Sequence, residues 1–172
     1  LTIARSDVAL LALEFPFLGE VPHGISLEGY LFPDTYQIDA GTDADDLIRS
    51  MLRRFDSVVT TDVRTAAVAR GLGLHGLITL ASVVEREARV DEEYALVAGG
   101  FSKRLAVNMP LQADPTAQYA LGRSEGVSGW WKPDLTVADL QVESPYNTYL
   151  HVGLMPGPIA NPGLQSIRAA AR

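Results

Sequence analysis

The chain has no cysteine, so neither a disulfide framework nor thiol chemistry is open to it, and it is compatible with either side of a membrane. Lysine is nearly as scarce. Only Lys103 and Lys132 occur, both in polar surroundings, which argues against an enzyme built on a Schiff-base lysine. The remaining bases are arginines scattered along 172 residues, and the net charge is −7. Nucleic acid is excluded as a partner, because phosphate binding rests on clustered Lys and Arg. His23, His75 and His151 stand far apart, with no HExxH or paired spacing, so no metal site and no cofactor is called for. There is no GxSxG elbow for a nucleophilic serine. The longest apolar run near the start, Val8 to Leu13, is far too short to span a bilayer and lacks the flanks of a signal peptide.

What is present is a hydrophobic fraction of 47%, enough for one compact domain with a substantial core. A short helix is predicted over Asp7–Phe15. Leu27–Tyr36 alternates aromatics and contains Pro33, which predicts extended structure. Thr42 and Asp45 resemble a capping box ahead of Leu47, Ile48, Met51, Leu52 and Phe55, which keep helical spacing. Further helices are predicted over Asp62–Arg70, Leu77–Arg89 and Glu92–Ala106. Asp114-Pro115 reads as N-cap and first position of a short helix to Leu121, and Gly122–Pro133 as a loop holding Trp130 and Trp131. Asn161-Pro162 opens a last helix. Gly71-Leu72-Gly73-Leu74-His75-Gly76 matches GxGxxG, but it follows a helical pattern instead of a strand, so a helix C-cap and linker is the better reading.

The most informative run is Ile78–Ala88, an almost wholly apolar helix carrying Glu85 and Glu87. A carboxyl that loses solvent has its charged form disfavoured and becomes able to donate a proton near neutral pH, as a glycosidase general acid does. Small neighbours, Ala81 and Ala88, flank Glu85 and leave room for a ligand. The segment alone also allows a solvated stripe shared with Arg86 and Arg89. Downstream, Gln112, Asp114 and Thr116 face either a helix start or a cleft. Ser144–Tyr149 and Gly153–Gly163 are turn-rich and dense in hydrogen-bonding groups. Turn chemistry accounts for their Gly and Pro but not for Tyr146, Asn147 and Thr148 in a row.

Taken in order, Leu27–Tyr36, Leu80–Glu87, Leu111–Thr116, Ser144–Tyr149 and Gly153–Gly163 resemble the motifs of the endolytic murein transglycosylases, the YceG-like or MltG family, over nearly the whole chain. The resemblance implies a single catalytic domain over residues 1–172, excised from a longer protein. That protein would be held by one transmembrane helix at the outer face of the cytoplasmic membrane. It would act on peptidoglycan glycan strands in the cell envelope, beside the cell-wall synthesis machinery. The family motif Ala-Ser-Ile-Val-Glu-Lys-Glu carries onto Ala81–Glu87 and assigns the acid to Glu85. Glu85 then protonates the oxygen between N-acetylmuramic acid and N-acetylglucosamine and takes the proton of the muramic 6-hydroxyl as it attacks C1. A 1,6-anhydro sugar results with no second carboxylate, unlike the two-carboxylate hydrolases. Substrate binding falls to Gln112, Asp114, Thr116, Tyr146, Asn147, Thr148 and Asn161. Lys103 and Met155 depart from the family, which commonly has Asn and Pro there. The expected fold is α+β: helix-rich, with a small sheet and a glycan-binding groove walled by the helix of Glu85. The non-catalytic alternative is a peptidoglycan-binding or cell-division scaffold domain.

Overall fold

The computed structural model describes residues 5–22, 24, 26–122 and 131–172. Within them run α1 (Arg5–Glu14), α2 (Ala44–Val58), α3 (Thr61–Val68), α4 (Leu74–Glu87), α5 (Glu93–Ala106), α6 (Asp114–Leu121) and α7 (Leu164–Ala171), with short 3-10 turns at Pro16–Glu20 and Asp139–Gln141. None of the described helices is long and apolar enough to cross a membrane. The Trp130 part of the loop expected over Gly122–Pro133 lies outside the described residues.

α4 is the axis of the molecule. Leu77, Ile78, Leu80, Ala81, Val83 and Val84 are all fully buried, so the helix is apolar on every side, as a helix enclosed by others must be. It packs chiefly against α7 and α5, which also pack on each other. Ala81, expected to flank an open ligand space, lies in this core; the helix is buried from Leu77 to Val84 and reaches the surface only in its first turn, at His75 and Gly76, and in its last, from Glu85. Beside it, Phe17, Tyr30 and Phe55 form an aromatic cluster, with Phe17 and Phe55 ring centres 4.9 Å apart and Tyr30 and Phe55 5.4 Å apart.

The helix starts follow the sequence closely, with small displacements. α2 does open with a capping box, but one residue later than expected. The Asp43 carboxylate accepts the Asp46 N–H at 2.8 Å, and Asp46 accepts the Asp43 N–H at 3.4 Å. An aspartate caps at least as well as a threonine, and Thr42 instead accepts the Asp39 N–H at 3.0 Å. Gly71, with φ +78, follows α3 at the end of a helix, as the GxGxxG match was read.

The α+β expectation is corrected. Among the described residues there is no named strand, and the one isolated bridge pairs Pro110 with Val152 in antiparallel sense. Local chemistry prevents that bridge from growing into a sheet. Pro110 has no N–H to give, Gln112 sits at φ +50, and Gly153 at φ +88 turns the other segment away. Leu27–Tyr36 does not pair either. Its Tyr30 N–H closes a turn onto the Leu27 carbonyl, and its Gly29 N–H goes to a side chain.

Candidate active site

Glu85 leaves the core where α4 meets the start of α7. Its half-buried carboxylate presents Oε2 to the backbone N–H of Gly163 at 3.0 Å and to the hydroxyl of Ser166. Gly163 is the N-cap of α7 and Ser166 its third residue, so the carboxylate of one helix takes a free backbone donor at the start of another together with a hydroxyl from its first turn. No partner is found for Oε1 among the described residues.

The segment carrying Gly163 is fixed at three points. His75 Nε2 donates to the Pro156 carbonyl at 2.7 Å, which in the neutral ring leaves Nδ1 to accept the Tyr30 hydroxyl, also at 2.7 Å. Ser82, buried in α4, accepts the Ile159 N–H at 3.0 Å. Asn161 Oδ1 accepts the Gly29 N–H at 2.7 Å. Gly29 is required there: φ is +93, and a Cβ would stand 2.4 Å from Cγ of Pro158 and 2.9 Å from Cγ2 of Ile78.

Next to this clamp stands an aromatic wall. The Tyr119 hydroxyl donates to Glu28 Oε2 at 2.6 Å, and its ring lies 4.9 Å from that of Tyr146 and 6.2 Å from that of Trp131. Arg86 places its guanidinium 4.0 Å over the Trp131 ring. Loss of solvent, followed by the Glu28 charge, pushes both phenols upward. On the far side of α4's last turn, Asp114 accepts the Tyr149 hydroxyl. Burial and then Asp114 push the Tyr149 phenol up to about 12. Loss of solvent and then Asp114 raise the Glu87 carboxyl above its ordinary range, against the opposing pull of Arg89 and Arg104.

The residues expected to hold substrate separate into two groups. Gln112, Asp114, Tyr146 and Asn161 reach the surface at least in part. Thr116, Asn147 and Thr148 lie in the interior, at 0%, 0% and 2% exposure, with their polar atoms committed. The Thr116 and Thr148 hydroxyls meet at 2.7 Å, Thr148 Oγ1 accepts the Ala113 N–H at 3.1 Å, and Thr116 donates to the Ala113 carbonyl at 2.7 Å. The Asn147 amide donates to Leu140 and Val142 carbonyls at 3.0 and 2.9 Å. Asp114 is the first residue of α6; Ala113 takes the N-cap position. Sequence reasoning passed over Ser166, Glu28, Tyr119 and Trp131. Helical spacing was a signal for two of them: Tyr119 lies one turn beyond Thr116, and Ser166 three residues beyond Gly163, where a hydroxyl reaches a helix start.

Comparison with known proteins agrees with the sequence motifs. The chain is similar to an endolytic murein transglycosylase of Bacillus subtilis (strain 168), 41% identical over 145 residues that make up 84% of this chain and 38% of that protein. It is 39% identical to one of Streptococcus pneumoniae serotype 2, over 84% of this chain and 26% of that protein. The chain thus spans well under half the length of these relatives. A crystal structure of a yceG-like protein from Listeria monocytogenes superposes with a TM-score of 0.82 at 34% identity, covering 98% of this chain and 55% of that one. The YceG-like family profile matches residues 5–172, and the chain belongs to that family.

Proposed function

We propose that this chain is the single catalytic domain of an endolytic peptidoglycan lytic transglycosylase, with Glu85 as its one acid and base. The observation that carries the reading is the seat of Glu85, one carboxylate oxygen fixed by Gly163 and Ser166 and the other without a partner among the described residues. A proton-transfer group needs such an arrangement, with fixed orientation and one oxygen left for substrate. The names of the Bacillus and Streptococcus relatives support peptidoglycan as the substrate. In the proposed reaction Glu85 protonates the oxygen between muramic acid and glucosamine, and the C1–O bond breaks. The resulting carboxylate takes the proton of the muramic 6-hydroxyl as its oxygen bonds to C1. An attacking group already attached to the sugar has a high effective concentration and outruns water.

Gln112, Asp114, Tyr146 and Asn161 are the proposed substrate contacts, while Thr116, Asn147 and Thr148 hold the backbone of the wall that carries them. The parent protein is placed in the cell envelope, anchored at the outer face of the cytoplasmic membrane and working beside cell-wall synthesis. Glu87 is the rival acid, favoured by its raised carboxyl beside Asp114. Digestion of purified glycan strands in ¹⁸O-labelled water decides the matter. Glu85→Gln is expected to abolish cleavage and Glu87→Gln to retain most of it. The muramic ends are expected to be unlabelled and one water lighter than hydrolytic ends. Labelled, borohydride-reducible muramic ends mean a hydrolase; activity lost only with Glu87 moves the acid there; no cleavage by the unaltered chain leaves a glycan-binding scaffold.

A further inference from the structure

We propose that Ser166 is a positioning residue for the Glu85 carboxyl group, its hydroxyl turning between two acceptors as that carboxyl gains and loses its proton. The proposal rests on the reading of Glu85 as the acid and base. Ser166 is fully buried, and its Oγ lies within reach of both Glu85 Oε2 and the Gly163 carbonyl, the latter at 3.0 Å. A serine hydroxyl has one proton, so it serves one acceptor at a time. When Glu85 is ionised, a hydrogen bond to a charged oxygen is the stronger choice, and the hydroxyl donates to Oε2. When Glu85 is the neutral acid, the hydroxyl turns to the Gly163 carbonyl and loses nothing by it.

Gly163 N–H is a fixed donor that cannot follow the proton. The pair therefore combines a rigid contact that holds Oε2 in place with a mobile one that strengthens only in the half of the cycle where charge is present. Interactions made only when charge develops are the ones that raise rate instead of binding. Because both donors act on Oε2, they direct proton exchange with substrate to Oε1. The burial of Ser166 excludes direct contact with a glycan, so its effect is felt in kcat and not in KM.

The test is the pH–rate profile of Ser166→Ala and Ser166→Cys on glycan strands, beside the unaltered chain and Glu85→Gln. Cysteine fills the same buried space with a weak donor, so it keeps the comparison valid even if alanine leaves a destabilising gap. Both variants are expected to lower kcat about tenfold to a hundredfold, in line with a lost hydrogen bond to a charged group, with KM unchanged. The alkaline limb of the profile, where Glu85 loses the proton it must donate, is expected to move to higher pH, because removing a donor to the charged form favours the neutral acid. A purely structural serine lowers the melting temperature without moving the profile. An unshifted alkaline limb with a folded Ser166→Cys protein overturns the proposal. A fully active Glu85→Gln overturns instead the assignment of the acid, so the two failures are distinct.

Discussion

Gly29 and the Thr116–Thr148 pair show how much of the site depends on residues buried beneath it. Replacing Gly29 by alanine forces a left-handed backbone on a residue with a Cβ and drives that atom into Pro158 and Ile78. The expected loss is about 2–4 kcal/mol of unfolding free energy, read by urea denaturation. Activity is expected to fall as well, since Pro158 belongs to the segment that carries Asn161 and Gly163 to Glu85. Thr116→Val leaves the Thr148 hydroxyl without its buried partner and is expected to cost about 1–3 kcal/mol, with KM unchanged in the surviving folded protein. A raised KM at full stability contradicts the assignment of this pair to the interior. These residues mark the limit of reading a sequence at this scale. Thr, Asn and Tyr in a row identify a hydrogen-bonding neighbourhood, but the same groups serve a buried network and an open groove equally well. Only burial separates Thr116, Asn147 and Thr148 from Gln112 and Asn161.

At the scale of elements, the helices were legible because their signals are local: the capping-box spacing ahead of α2, read one residue early, Pro115 near the start of α6, the apolar run of α4. The sheet was not, because pairing depends on distant backbone. Pro33 and the aromatic alternation of Leu27–Tyr36 suit extended chain, yet that chain spends its N–H groups on a turn and on Asn161. The last turn of α4 has a further consequence through Glu87. Its folded carboxyl titrates above the ordinary glutamate value of about 4.3, so between those two points the folded chain binds more protons than the unfolded one. Stability therefore falls as pH rises through that window and is level above it. Glu87→Gln is expected to flatten this fall and to be slightly more stable than the unaltered chain at pH 7, the gain being limited by solvent screening of an exposed side chain. Unfolding in urea from pH 4 to pH 7 measures it. The loop after Trp131 behaves in the opposite sense. Asp139 accepts Lys132 Nζ at 2.6 Å and the N–H and hydroxyl of Thr136, each at 2.7 Å, which holds its carboxyl down to about 2. Its contribution is present above the ordinary aspartate range and is lost as pH falls toward 2; Asp139→Asn is expected to remove that acid-side dependence.

For the molecule as a whole, the enclosure of α4 by α5 and α7 decides how the site fails. A stretch such as Leu77–Val84, buried on every side, has no cheap way to open on its own, since freeing it uncovers apolar surface on two other helices at once. Its backbone amides, above all those of Leu80 to Val84, are expected to exchange with deuterium only through global unfolding, and no faster in Glu85→Gln. Earlier exchange there than in α5 and α7 contradicts this. Glu85 is the residue at which the chain leaves the buried stretch Leu77–Val84, so the proposed acid is anchored to the part of the protein expected to come apart last. If Glu85 has the proposed role, heating is therefore expected to leave no folded body with a slackened acid, and loss of cleavage and loss of the fold are expected to coincide at one temperature.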